Sequence, residues 1–228
     1  MPVADALVRQ DYSYDSKISP KQGLLNLISD LQTPIQVIPN GFNTEFWKDF
    51  GKTRKPLSFI SVATGTSNPS RAIVKGYDLI EKLAKNHPEW SFTFIGDSKY
   101  NSSLPNIKVF GKMKAQDLVE AFNTHRYYLQ LSTSEGFPNS LGEAMACGCI
   151  PIGSAVGAIP EIIDSTGLIL PQKDLALLQD LLSQFLLENP KEKSILARKR
   201  ILDFFSYQLR QENLTMALFD TNSNDLNH

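Results

Sequence analysis

Tyr127-Tyr128-Leu129-Gln130-Leu131, followed by Ser134-Glu135-Gly136-Phe137-Pro138-Asn139-Ser140-Leu141-Gly142-Glu143-Ala144-Met145-Ala146-Cys147-Gly148, reads as strand, turn and helix in direct succession. The aromatic and branched residues of the first segment suit a short, buried, pleated element. Gly136, Pro138, Asn139 and Ser140 are turn formers. Leu141 to Ala146 predicts a helix, with Gly148 as its stop. In a parallel α/β sheet, ligands bind where strands end and helices begin. That rule places Glu135 on the loop at the strand's carboxyl end. It places Glu143 in the first helical turn, beside unpaired N–H groups and the positive end of the helix dipole. A diphosphate suits such a place, with a carboxylate on either side to hold hydroxyl groups. Ser140-x-x-Glu143 also fits a capping box, in which the glutamate only closes the helix start. Glu135 precedes the cap and has no such role.

Outward from this segment, apolar strands alternate with helical stretches. Leu57 to Ala63, Ser91 to Ile95, Ile107 to Phe110, Cys149 to Ile152 and Leu168 to Leu170 predict strands. Gly76 to Asn86, Ala115 to Phe122 and Leu175 to Glu188 predict helices, the first ended by Pro88. The alternation predicts an α/β fold, a Rossmann-like parallel sheet with helices on both faces joined by right-handed crossovers. Toward the N-terminus, Ala6-Leu7-Val8 is strand-like and a helix is expected from about Pro20. Pro39-Asn40-Gly41 is a strong turn signal. After Pro190 a helix runs through Ile195, Leu196, Ile201, Leu202, Phe204 and Phe205. Its Arg198-Lys199-Arg200 cluster reads as a solvated face, at most a peripheral contact with anionic lipid.

The chain has 228 residues, 21% charged and 42% hydrophobic, with a net charge of −1. This is room for one well-buried domain and a further piece, and the charge gives no general attraction to nucleic acid. No apolar run reaches the length of a membrane span, and Met1-Pro2-Val3-Ala4-Asp5 lacks a signal peptide's features. Cys147 and Cys149 stand too close in sequence for an ordinary disulfide and have no metal-ligand cluster nearby, the nearest histidine being His125. They read as reduced thiols of a cytoplasmic protein.

After the first main strand comes Thr64-Gly65-Thr66-Ser67-Asn68-Pro69-Ser70-Arg71-Ala72-Ile73-Val74-Lys75-Gly76, read as a loop rich in small and hydroxyl residues. It is neither a dinucleotide fingerprint nor a Walker A loop. Arg71 can grip two phosphate oxygens with its planar fork, and Lys75 acts as a compact charge just before a helix.

Together these segments resemble the C-terminal, donor-binding half of GT-B retaining glycosyltransferases of glycosyltransferase family 4 (group 1), over roughly residues 35–187. The resemblance is carried by Val37-Ile38-Pro39-Asn40-Gly41-Phe42-Asn43, Lys75-Gly76-Tyr77-Asp78, Phe94-Ile95-Gly96-Asp97, Val109-Phe110-Gly111, the E-x7-E pair Glu135 and Glu143, Gly157-Ala158-Ile159-Pro160-Glu161 and Gly167-Leu168-Ile169. It implies that Glu135 holds hydroxyls of a donor sugar and Glu143 the ribose. It implies that the amides of Gly136, Phe137, Pro138, Asn139, Ser140 and Leu141 (proline having none) line the sugar and diphosphate. Arg71 and Lys75 are implied to neutralise the leaving diphosphate, and Lys112 and Met113 to touch the base. Where the family often has Gly-Arg directly after the first strand, this chain has Thr64-Gly65-Thr66, and the arginine comes only at Arg71.

The implied substrates are a nucleotide-diphosphate sugar of hexose type and an acceptor glycan or lipid, with no cofactor and no metal. The implied organisation is residues 1–34 as a remnant of an acceptor domain, 35–190 as the donor domain and 191–228 as a helical extension. An acceptor domain missing from the chain would be needed for activity. Two rival readings stand beside this one. A nucleotide-sugar epimerase on the same fold needs acid/base residues, but His87, His125 and His228 lie outside the motif loops. A non-catalytic donor-binding subunit would pair with a separate acceptor-binding chain.

Overall fold

A computed structural model of the chain describes residues 35–223 throughout and, before them, 2–3, 10–11, 14–15, 21–22, 24, 28 and 30–33. Its centre is a six-stranded parallel sheet of β1 (Ser58–Val62), β2 (Ser91–Ile95), β3 (Ile107–Phe110), β4 (Tyr127–Gln130), β5 (Ile150–Ser154) and β6 (Leu168–Leu170). The spatial order is β6-β5-β4-β1-β2-β3. The chain thus winds outward from β1 in one direction, crosses back, and winds outward from β4 in the other. The gap between the exits of β1 and β4 is the switch point at which such sheets bind ligands.

The connecting helices are α1 (Pro69–Val74), α2 (Tyr77–Asn86), α3 (Ala115–Thr124), α4 (Asn139–Ala146), α5 (Ile159–Ile163) and α6 (Leu175–Phe185). Two more follow, α7 (Pro190–Phe204) and α8 (Tyr207–Ser223). Right-handed crossovers running in opposite directions put α2 and α4 on opposite faces. Accordingly α6 packs with α2, and α7 with α4. All four residues of β4 are buried, as for a strand covered on both sides. Phe59 of β1 stacks on Trp90, Phe92 and Tyr127, each at 5.1 Å between ring centres, which clamps β1, β2 and β4 together.

Three sequence expectations change. The segment read as a loop from Thr64 to Gly76 contains α1, started by Asn68, whose side chain accepts from the Arg71 N–H, and by Pro69 at the first helical position. The C-terminal helix is broken at Phe205–Ser206, where Phe42 N–H donates to Phe205 O at 2.7 Å and Phe42 bridges Ser206. Lys21–Gln22, expected at the start of a helix, instead pairs antiparallel with Gln10–Asp11. Ala6-Leu7-Val8 and Pro20 lie outside the described residues.

The two arginines of the basic cluster of α7 are tied to the fold, and the lysine between them stays exposed. Arg198 donates to the carbonyls of Trp47 and Ala146, Arg200 to that of Glu161, and Lys199 pairs with Asp203. Among the described residues no helix is long and apolar enough to cross a membrane.

Candidate functional site

Lys75 and Glu135, 60 residues apart in sequence, meet at 2.5 Å between Nζ and Oε1. The corner between α1 and α2 brings them together. Thr133 N–H donates to Val74 O at 2.8 Å, which fastens the end of α1 to the exit of β4. Gly76 sits at φ +76, and a Cβ there would lie 2.1 Å from Leu131 O, so the corner closes onto β4 only with glycine. Lys75 ends α1 and directly precedes α2. On the other side, Gly157 brings its loop against the Glu135 and Gly136 carbonyls, and Ala158 N–H donates to Gly136 O at 2.9 Å.

The pair is mostly shielded, with side chains 19% and 13% exposed. Gln130 Nε2 and Ser132 Oγ each donate to the same Glu135 oxygen at 3.0 Å. Neither residue was singled out from sequence. The readable signal was a glutamine inside a strand otherwise made of aromatic and aliphatic residues, where an amide must find partners.

Arg71 lies one helical turn before Lys75 on α1, a spacing that sets two residues on one helix face. Its Nε donates to Thr64 O at 2.6 Å, and its chain folds over Gly65. The loop beneath it is held by Asp97, which accepts from the N–H groups of Ser67 and Lys99 at 2.8 and 3.0 Å. Those bonds, the Ser67 backbone bond foremost, lower the Asp97 carboxyl below its ordinary range.

The helix α4 starts differently from the capping-box reading. Its N-cap is Pro138, no side chain caps it, and Ser140 lies inside the first turn, 2.7 Å from the Tyr128 hydroxyl. Among the described residues the early N–H groups of α4 thus have no side-chain cap, which suits an anion. The side chains of Phe137 and Leu141 serve packing. Phe137 stacks with Phe42 and meets Phe205 at a tilt, and Leu141 is fully buried.

With Asn139 as the first helical residue, Glu143 falls in the second turn rather than the first. It does not touch Lys75 or Glu135. It lines a cavity of about 240 Å³ with Asn40, Phe42, Trp47, Asn139, Tyr207 and Arg210. Asn40 Nδ2 donates to Asn139 Oδ1 at 2.9 Å across the cavity rim. Burial pushes the Glu143 carboxyl up to about 7. Lys112 and Met113 stand apart from both groups of residues. Lys112 is exposed on the β3–α3 connection, and Met113 lines a separate groove with Trp90, Phe110 and His125.

The structure therefore joins Lys75 with Glu135, keeps Arg71 on the same short helix, and leaves Glu143 in a neighbouring cavity on α4. Among the described residues no group of three or more His, Cys, Asp or Glu could hold a metal. Two histidines are structural: His87 stacks on Trp90 at 3.8 Å, and His125 bonds Thr93 and the Ala121 carbonyl. Cys147 and Cys149 are buried and their thiols pushed up by that burial, in agreement with unreactive core positions.

Comparison with known proteins agrees with this fold. The sequence profile described as glycosyl transferases group 1 matches residues 48–200. The phosphatidylinositol N-acetylglucosaminyltransferase gpi3 subunit of Schizosaccharomyces pombe is 29% identical over 160 residues, covering 61% of this chain and 33% of that protein. The GDP-mannose-dependent monoacylated alpha-(1-6)-phosphatidylinositol monomannoside mannosyltransferase of Corynebacterium glutamicum is 26% identical over 195 residues, covering 75% and 51%. The chain thus spans between a third and about half of these relatives' length. Among solved structures, sucrose-phosphate synthase from Thermosynechococcus elongatus superposes with a TM-score of 0.68 at 19% identity, over 82% of this chain and 53% of that one. An Anabaena protein crystallised with UDP and glucose gives 0.64 at 16% identity, over 81% and 56%. With two thirds of its length matched by the family profile and its sheet shared with GT-B enzymes, the chain belongs to the glycosyl transferases group 1 family.

Proposed function

We propose that this chain is the donor-binding half of a retaining sugar transferase that moves a hexose from a nucleotide-diphosphate sugar to a glycan or lipid acceptor. The observation that carries the reading is the Lys75–Glu135 pair at the switch point between β1 and β4. Breaking the sugar–phosphate bond leaves positive character on the ring and adds negative charge to the diphosphate. Lys75, Arg71 and the first amides of α4 are the preorganised groups that take up that negative charge. Glu135 holds donor hydroxyls beside them. Glu143 binds the ribose from its own cavity, which places the nucleoside along α4 and away from the Lys75–Glu135 pair. The relatives' names, both with phosphatidylinositol-based acceptors, support a lipid-linked acceptor. Its binding falls, on this reading, to a second domain, without which transfer does not proceed.

Calorimetry with UDP, GDP and ADP, and with their hexose conjugates, tests the reading. Binding of one nucleotide, strengthened by its sugar, is the expected result. No binding of any at millimolar concentration overturns it. A second reading, a donor-binding subunit of a two-chain transferase, is favoured by the subunit designation of the fission-yeast relative. Copurification of an acceptor-binding partner would select it.

A further inference from the structure

Gln130 is 94% buried in the central strand β4, yet every polar atom of its amide is engaged. Nε2 donates to Ser132 Oγ at 2.9 Å and to Glu135 Oε1 at 3.0 Å, and Oε1 lies 3.2 Å from the Tyr128 hydroxyl. The amide can point only one way, since reversal would set its carbonyl oxygen against the carboxylate. This orientation orders the protons around it. Ser132 accepts from Gln130, so its single proton goes to Glu135 at 3.0 Å. The Tyr128 hydroxyl lies within donating distance of two acceptors, Gln130 Oε1 at 3.2 Å and Ser140 Oγ at 2.7 Å in the first turn of α4. Burial drives the Tyr128 hydroxyl far above its ordinary range, so it stays a donor. Ser140, Tyr128, Gln130 and Ser132 thus form one hydrogen-bonded chain whose last two members donate to Glu135. Hydrogen bonds in such a chain polarise one another.

The same Glu135 oxygen takes the Lys75 ammonium at 2.5 Å. Gln130 and Ser132 add neutral donors from β4 and its exit to the hold that a flexible lysine has on this oxygen. We propose that Gln130 is a positioning residue: it fixes Glu135, and through it Lys75, relative to the first turn of α4. This rests on the donor-site reading for its consequence in binding, because sugar hydroxyls, diphosphate and helix amides must be met by groups in fixed register.

Two measurements test it. In the first, the Lys75 ammonium is observed by nitrogen-15 NMR in the unliganded protein, with Lys173, paired to Asp15 and Asp78 elsewhere, as internal reference. The Lys75 signal is expected in the wild type and lost by exchange in Gln130→Leu, while the Lys173 signal persists. An unchanged Lys75 signal in the variant, or none in the wild type, overturns the proposal. In the second, a double-mutant cycle of Gln130→Leu and Glu135→Ala is read on nucleotide-sugar binding. Gln130→Leu alone should weaken binding about fivefold or more, and should add nothing once Glu135 is alanine. Additive losses would assign Gln130 to packing and overturn the role. Should Gln130→Leu not fold, Tyr128→Phe keeps the ring in the core, removes only the hydroxyl, and is expected to loosen the Lys75 signal in the same direction. If the wild type binds no nucleotide sugar, the donor-site reading fails by itself, and the NMR measurement still decides the role of Gln130.

Discussion

Glu143 shows how a single carboxyl can oppose fold and function. Burial alone raises it from an ordinary 4.5 to about 7. A carboxyl raised in the folded state contributes stability that is fully present below the unfolded value and is lost as pH climbs through the folded one. Between pH 4.5 and 7 the folded chain should therefore lose on the order of 2–3 kcal/mol from this group. Glu143→Gln is uncharged at all pH values, so urea unfolding should find it as stable as the wild type at pH 4 and more stable at pH 8. Equal stability at pH 8 would mean that the cavity does not penalise the charge. On the proposed ribose role, the same variant should bind nucleotide more weakly, since a carboxylate accepts from both ribose hydroxyls and an amide oxygen does so less strongly. Lys75 lies on the opposite side of this trade. On the proposed donor-site reading its removal takes a cation from the leaving group, so Lys75→Ala should lower turnover of the complete enzyme by at least about tenfold. Near-normal steady-state rates would remove Lys75 from the chemistry.

Between residue and molecule, the corner joining α1 to α2 decides whether the site exists. Its position depends on Gly76, where left-handed backbone and a 2.1 Å approach to Leu131 O exclude any side chain. Gly76→Ala should destabilise the fold by at least about 2 kcal/mol, and nucleotide binding should fall further than unfolding accounts for, because Lys75 moves with the corner. Calorimetry under conditions where the variant is still folded separates the two effects; a variant that binds like the wild type would show the corner to be tolerant. The six main strands were legible in the sequence because each is a compact apolar run bounded by turn formers. The Lys75–Gly76 and Glu135 segments were legible through their positions after strands. What escaped was α1, whose six residues carry too little periodicity to stand out, although Asn68-Pro69 is a regular helix opening. The helix start at Pro138 escaped for another reason: Ser140 has the composition of a cap, but its hydroxyl is claimed by Tyr128, a partner 12 residues away that no local pattern reveals. Glu143 was displaced by one turn in consequence, and its separate cavity depends on residues 40–47 and 207–210, too distant in sequence to be anticipated.

At the scale of the whole molecule, those distant residues form a strap. The segment ahead of the first sheet strand and the C-terminal helix meet at residues 38–42 and 205–210. Phe42 exchanges backbone bonds with Phe205 and Tyr207, and Arg210 donates to Ile38 O and Pro39 O at 3.3 and 2.6 Å. Gly142 of α4 leaves room for the Phe42 ring, since a Cβ there would lie 2.2 Å from it. The strap thus presses one wall onto α4 and completes the Glu143 cavity; its Phe42 and Phe205 rings join the core, whereas Arg210 stays half-buried at its edge. Arg210→Ala should therefore leave the urea midpoint almost unchanged. Amides of residues 38–42 should exchange hydrogen for deuterium faster, and nucleotide affinity should drop by roughly threefold to tenfold, in keeping with the loss of a charge-assisted contact. Faster exchange with unaltered affinity would show the cavity wall to be irrelevant to binding. A large fall in stability would instead make the strap part of the core, because a local clamp can open alone only where few buried contacts support it.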